Sequence, residues 1–276
     1  MIERVLGKLK LNEDGIYGSN FTNIDQKKEI DLRKKVSAAQ YDDYLSEISK
    51  SHSVRVMDTE VKRALNGLKE NAIILDLGGC WGWHWRNISN DRLDVKVVIV
   101  DFVLENLLHA KEILQDVINN QIWLVHGDAT KLMLPDETFD LVWSVQTFQH
   151  IPNFESAVKE SFRVLNGGGM FINYSLNRAY LIELIYKLVG RKYHVDGETE
   201  DFWFSRASKK QKNIINMVFS AKVKSRYTEI LFHPELHCAC SGSKNSVIGT
   251  IDAKLGASNI FYSLIARQES FHVVKL

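Results

Sequence analysis

"LDLGGCWGWH" (75–84) is the stretch from which the fold of this chain is read. It continues the apolar run Ala72-Ile73-Ile74, so a buried strand ends in an aspartate, two glycines and an aromatic-rich helix start. A glycine turn between a strand and a helix is the usual seat of a nucleotide phosphate. Asp76 sets a negative charge at that seat. The phosphate-holding patterns fail as well. A dinucleotide fingerprint counted from Gly78 meets Cys80 and Trp83 where glycines belong, and no Gly-Lys-Ser/Thr follows. The carboxylate suits a ligand that carries positive charge.

Outward from this turn, short β-rich runs alternate with helical segments. "AIILDL" (72–77), "VKVVIVD" (95–101), "QIWLVHG" (121–127), "TFDLVWS" (138–144) and "GMFINYS" (169–175) read as strands. Helical segments lie between them near 81–90, 103–119 and 154–165, and the glycines of "LNGGG" (165–169) are expected to close the last one. Near-continuous apolar strands predict a parallel sheet covered on both faces. Upstream, 1–23 reads as loop, followed by helical stretches at 24–50 and 53–69. Downstream, 176–220 reads mostly as helix around the polar loop "GRKYHVDGETED". Two late strands, "KSRYTEILF" (224–232) and "NIFYSLIARQ" (259–268), complete a seven-stranded sheet.

With these residues in place, the sequence resembles the class I S-adenosylmethionine (SAM)-dependent methyltransferases, and within them the type 11 group of small-molecule enzymes. The first motif of that family is acidic-x-Gly-x-Gly-x-Gly. Here it reads Asp76, Gly78, Cys80, Gly82, with Cys80 in place of the middle glycine and Gly79 beside it. SAM carries an ammonium and a sulfonium and no phosphate, which accounts for Asp76. Three further matches follow in order. Asp101, ending "VVIVD", matches the residue that binds both ribose hydroxyls, with Phe102 after it. "HGDAT" (126–130) matches the segment whose aspartate, Asp128, takes the adenine amino group, with Ala129 next to it. "LPDETFDLVWSVQTFQHI" (134–151) matches the fourth strand and a following His150, which places Ser144 and Gln146 at the cofactor. "VLNGGGMFI" matches the turn into the fifth strand. The likeness covers 72–175 and fades on both sides.

The resemblance implies a doubly wound, mostly parallel α/β sheet with its last strand antiparallel, and the residue pattern outside it adds N-terminal helices and a helical insertion before the sixth strand. The expected units are a lid-like N-terminal segment (1–69), a SAM-binding core (70–175), a helical substrate cap (176–223) and the two closing strands (224–276). The expected activity is methyl transfer to an oxygen or nitrogen of a small molecule. The alternatives are methylation of tRNA or protein, and a non-catalytic SAM-binding module. His150 is either a general base or a structural histidine.

Composition agrees with a soluble globular chain: 276 residues, 45% apolar and 25% charged, with 35 basic against 34 acidic side chains and a net charge of +1. Such balance gives no general attraction to nucleic acid. The basic run "SRASKKQK" (205–212) is the one local feature in favour of it. The apolar stretch "AYLIELIYKLV" (179–189) is too short to span a bilayer, and the start of the chain does not read as a signal peptide. Three cysteines point to a reducing compartment, so a cytoplasmic protein is expected. "HPELHCAC" (233–240) packs two histidines and two cysteines into eight residues, too tight to fill four corners of a zinc site, and no metal is expected there. Trp81 and Trp85 are expected to pack on the sheet, Trp83 to border the methionine end of SAM, and His84 to be a surface or packing residue.

Overall fold

The computed structural model describes residues 2–18, 31, 35, 52–190, 197–198, 203–231 and 247–276. Alternation along the central strands sets the layering. In β1 (Ile73–Leu77) every residue is buried, with Ile73, Leu75 and Leu77 on one face of the sheet and Ile74 on the other. The strands β2 (Lys96–Asp101), β3 (Ile122–His126), β4 (Phe139–Val145) and β5 (Leu165–Leu176) run parallel to it. β6 (Lys224–Thr228) and β7 (Gln268–Val274) complete the main sheet, and β7 is antiparallel to both of its neighbours. The order is β3-β2-β1-β4-β5-β7-β6, extended beyond β3 by the two-residue segments Tyr17–Gly18 and Lys10–Leu11. The seven expected strands are therefore joined by two short ones at one edge.

Two-faced burial requires helices on both sides. On one face α1 (His52–Asn66) supplies Met57, Val61 and Leu65, and α2 (Leu104–Ile113) supplies Leu107 and Ala110, against Ile74, Val97 and Ile99. On the other, α3 (Phe154–Val164) and α5 (Lys209–Phe219) bring Phe154, Val158, Ile215 and Phe219 against Leu75, Val142 and Phe171. Burying each such side chain contributes roughly 1.5–3 kcal/mol. α4 (Tyr180–Leu188) follows β5, and α6 (Val247–Leu255) lies against α1.

A polar tie fixes α1 to the sheet. Glu60, buried in α1, accepts from Arg226 Nε and Nη2 at 2.9 and 3.0 Å and from the Tyr174 hydroxyl at 3.1 Å. Desolvation and the Glu60 charge push the Tyr174 hydroxyl well above the usual tyrosine range, so it stays a donor. Within the segment expected as a lid, the helix 52–66 is thus bonded to strands β5 and β6.

Several sequence expectations shift. The strand expected at 259–268 is a 3-10 turn, Ile260–Leu264, started by the Asn259 side chain accepting from Phe261 N at 3.0 Å. The closing strand lies further on, at Gln268–Val274, where Gln268, Glu269 and Ser270 are buried between β5 and β6 and hide the alternation. The helix ending near 165 closes at Val164 with Leu165 already extended, and the left-handed glycine, Gly168, comes three residues later. The segment near 81–90 divides into a 3-10 turn, Trp83–Trp85, and a short helix, Ile88–Asp91. The helical stretch at 24–50 falls almost entirely outside the described residues, as does "HPELHCAC".

Candidate functional site

The strand order reverses at β1 and β4, and the crevice at the carboxyl ends of such strands is where open α/β sheets bind ligands. Backbone geometry shapes it first. Gly78 sits at φ +70°, and a Cβ there would lie 2.2 Å from Thr147. A Cβ on Gly79 would lie 2.5 Å from the Asp76 carboxylate. Cys80, in place of the family's middle glycine, takes the left-handed conformation that glycine would, at φ +51°. Its backbone N–H donates to Asp101 Oδ2 at 3.0 Å, and Asp101 Oδ1 accepts from Val103 N at 2.9 Å. The end of β2 thus holds the turn after β1.

Two cavities open from this turn. The first, of about 210 Å³, is lined by Gly78, Cys80, Asp101, Phe102, Asp128, Ala129, Gln146 and His150, together with residues that include Asn106 and Thr147. No lysine or arginine is among the described residues that line it. Asp128 Oδ1 accepts from both the backbone N and the hydroxyl of Thr130 at 2.8 Å, which fixes the carboxylate. The second cavity, of about 320 Å³, is lined by Asp76, Gly79 and the wall of α1 at Ser53, Met57 and Asp58, by Trp83 and His84, and by Glu229, Arg267 and Gln268 from the far end of the chain. The cavities share Gly78, Cys80, Val145 and Gln146.

Strain collects at this junction. Of the seven non-glycine residues with positive φ among the described residues, Cys80, Gln146 and Glu229 all line the second cavity. Such conformations cost of order 1–3 kcal/mol and persist where the surroundings hold them. Glu229 is held from two sides: it accepts from the Ser53 hydroxyl, and Arg267 Nη1 donates to its Oε2 at 2.7 Å.

Asp76 is fully enclosed and accepts from Trp85 Nε1 at 2.7 Å. Burial pushes its carboxyl up to about 7, the Trp85 hydrogen bond opposes this, and the Asp101 charge adds to it. Burial and the neighbouring Arg86 guanidinium bring the His84 imidazole down to about 4, so it is neutral at pH 7. Arg86 pairs with Asp58 at 2.6 Å and lies 4.5 Å over the Trp83 ring.

Ser144 and Gly82, expected at the cofactor, line neither cavity. The Ser144 hydroxyl is fully buried and donates to the Leu77 carbonyl at 2.8 Å, and a Cβ on Gly82 would meet Leu114 behind the wall. His150 is in the wall of the first cavity with both ring nitrogens engaged. Its Nδ1 is 3.1 Å from the Trp203 carbonyl. Gln149 Oε1 accepts from Leu176 N, which turns the amide N–H toward His150 Nε2 at 3.2 Å. These contacts select the neutral Nδ1–H tautomer. Trp83, expected to border the ligand, lines the second chamber, and Ser53, Glu229 and Gln268 join it there unannounced by any spacing motif, because they lie far apart in the chain.

The basic run 205–212 turns partly inward: Arg206 donates to the Asn177 carbonyl at 3.0 Å, and Lys212 pairs with Glu269 at 2.6 Å. No group of three or more potential metal ligands occurs among the described residues. No described helix is long and apolar enough to cross a membrane.

Comparisons with known proteins bear on the same core. Residues 75–173 match the family model described as a methyltransferase domain. The chain is 32% identical over 108 residues to a sterol 24-C-methyltransferase of Aspergillus fumigatus, covering 38% of this chain and 28% of that protein. It is 33% identical over 121 residues to a malonyl-[acyl-carrier protein] O-methyltransferase of Buchnera aphidicola, covering 40% and 45%. These matches span less than half the length of either relative. Among solved structures it is similar to a SAM-dependent methyltransferase of Thermotoga maritima, described as a possible histamine N-methyltransferase, with a TM-score of 0.60 at 15% identity over 90% of this chain and 99% of that one.

Proposed function

We propose that residues 75–173 form a class I SAM-dependent methyltransferase domain and that the chain transfers a methyl group to an oxygen or nitrogen of a small-molecule acceptor. The observation that carries this reading is the pair of cavities meeting at Gly78, Cys80, Val145 and Gln146. The first suits the adenosine of a donor, and the second, which Asp76 lines, has room for the donor's methionine end and an acceptor.

The residues present fit SAM. The first cavity offers carboxylates and no cation, which suits ribose hydroxyls and an adenine amino group and would leave a phosphate without a partner. Asp101 and Asp128 would hold the adenosine, and Asp76 would favour the cationic methionine end. SAM, when bound, supplies an electrophilic methyl on a sulfonium. The chain's own part is to position and to exclude water: α1, the glycine turn and the ends of β6 and β7 enclose the acceptor next to that junction. With both of its nitrogens engaged, His150 acts as a positioning residue that ties the turn after β4 to Trp203.

The inward turn of Arg206 and Lys212 supports a small acceptor over tRNA. The second cavity favours an enzyme over a module that only binds SAM. The odd cysteine count supports a cytoplasmic setting. Incubation with methyl-labelled SAM and a metabolite extract, read by mass spectrometry, tests the proposal. Label in a small product supports it, whereas label confined to RNA or protein, or no transfer, rejects it.

A further inference from the structure

The glycine turn sends an imidazole into the second cavity. Gly82 at φ +65° starts the 3-10 turn Trp83–Trp85, in which successive side chains point about 120° apart. Trp85 is carried under the sheet, fully buried, where its indole donates to Asp76 at 2.7 Å. Trp83 and His84 are half-buried and line the cavity. The His84 ring meets the buried Trp143 indole edge-on, 6.4 Å between centroids, which seats it on the wall.

The carboxylates of that wall are occupied. Asp58 pairs with Arg86 at 2.6 Å, Asp76 accepts from Trp85, and Glu229 accepts from Ser53 and Arg267. His84 differs. Among the described residues no hydrogen bond reaches either of its ring nitrogens. Neither nitrogen is among the partnerless atoms shut off from water, so both keep surface that water can touch. Burial and the Arg86 charge hold the imidazole neutral, against the opposing pull of Asp58. A neutral imidazole offers one nitrogen as a proton acceptor.

Methylation of a hydroxyl needs such a group. A lone pair of the oxygen forms the new bond to carbon, the S–CH3 electron pair returns to sulfur, and the O–H electrons stay on oxygen while the proton leaves. An oxygen that is gaining a methyl becomes strongly acidic, so a weak base suffices if it is unprotonated beforehand, whereas an amine attacks in its neutral form and needs none. Asp76, in the same wall, would favour the cationic methionine end of SAM. The positive charge lost at sulfur is then gained at the imidazole, and the charge of the chamber is conserved through the step.

Building on the methyltransferase reading, we infer that His84 is the general base of the reaction and that the acceptor atom is a hydroxyl oxygen. A ring nitrogen of His84 takes the O–H proton as the oxygen attacks, and passes it to water afterwards. His84 is then a catalytic residue, distinct from the adenosine-facing Asp101 and Asp128 and from His150, whose nitrogens are both engaged.

Two measurements on the full chain test this. Diethyl pyrocarbonate, which acylates accessible neutral imidazoles, is expected to modify His84 of the ligand-free protein, mapped by peptide mass spectrometry; an unmodified His84 overturns the inference. The second follows label from saturating methyl-labelled SAM into the small product formed in a metabolite extract. Its rate is expected to fall roughly 10²–10⁴-fold in His84→Gln and His84→Ala, with S-adenosylhomocysteine affinity by calorimetry unchanged. Added imidazole is expected to raise the rate of His84→Ala at least about tenfold, which a packing role would not allow. His84→Gln keeps the test available if the smaller alanine impairs folding. A rate for His84→Gln within about tenfold of the unaltered chain, no imidazole rescue of folded His84→Ala, or a product methylated on an amine nitrogen overturns the inference. A parallel fall in S-adenosylhomocysteine affinity also overturns it, because His84 would then serve the cofactor. Failure of the unaltered chain to bind S-adenosylhomocysteine or to label any small product instead removes the methyltransferase reading, and this inference with it.

Discussion

The backbone N–H of Cys80 donates to the carboxylate of Asp101 across 3.0 Å, joining the turn after β1 to the end of β2. A side chain at φ +51° in a position where the family has glycine is thereby held in place.

Asp101 consequently carries two duties, and its removal is expected to show both. Asp101→Ala leaves Cys80 N and Val103 N without their acceptor, at a cost of about 1–3 kcal/mol. It should also weaken SAM binding at least about tenfold, since ribose hydroxyls lose a charged acceptor. Calorimetry with SAM and urea unfolding of the same variant check the two effects. Unchanged affinity would remove Asp101 from the cofactor site.

Asp76 imposes a pH dependence. Its carboxyl is raised from 3.8 to about 7, chiefly by burial. Between those values the folded chain keeps a proton that the unfolded chain has released, so this group's contribution to stability falls as pH rises through the window and levels off above 7. The slope is at most about 1.4 kcal/mol per pH unit, and Asp76→Asn should flatten it. A cationic ligand favours the ionised form. SAM affinity is therefore expected to rise across pH 6–8 with proton release, seen as a buffer-dependent binding enthalpy, and a flat profile would refute the assignment.

The glycine turn can be weighed against a control. Gly78 and Gly168 both have positive φ, +70° and +79°, yet a Cβ at Gly78 would lie 2.2 Å from Thr147 while Gly168 has nothing within 4 Å. Gly168→Ala should cost about 1 kcal/mol, the left-handed penalty less the gain from a stiffer unfolded chain. Gly78→Ala adds overpacking and should cost about 2–5 kcal/mol, with loss of SAM binding. Denaturant midpoints of the two variants, compared directly, give the crowding contribution.

His150→Gln should retain turnover within about tenfold of the unaltered chain and keep its pH profile, because Nε2 already accepts from Gln149. A general base would instead lose about 10²–10⁴-fold together with one limb of the profile. That outcome would restore His150 to the chemistry.

The Glu60 tie predicts a stability effect away from both cavities. Glu60→Gln leaves Arg226 buried with its partner charge gone, and should destabilise the fold by about 3 kcal/mol. Urea unfolding measures it, and SAM affinity of the folded variant should stay close to that of the unaltered chain.

The sequence by itself determined whatever depends on neighbours within a turn or two. Apolar runs such as Val97-Val98-Ile99-Val100 specify buried parallel strands, and the order Gly78, Cys80, Asp101, Asp128, Gln146 follows successive strand ends, so the first cavity was legible before folding. Periodicity and turn sterics are local, and they are written locally. The second cavity was legible only at Asp76, Gly79 and Trp83, because Ser53, Glu229 and Gln268 meet them only through the packing of α1 and the pairing of β7 between β5 and β6. The same pairing moved the last strand from the apolar-looking 259–268 to 268–274: Ile260 and Phe261 stay exposed in a 3-10 turn, while Gln268 and Glu269 are buried, the first bonded to Thr228 of β6 and the second paired with Lys212 of α5. Ser144, expected at the ligand, was drawn into a hydrogen bond with Leu77 because side chains alternate faces along a strand and the register of β4 on β1 chose which face it took. Local chemistry fixed which residues line the first cavity; strand order and register, which sum contacts over the whole chain, fixed what lines the second.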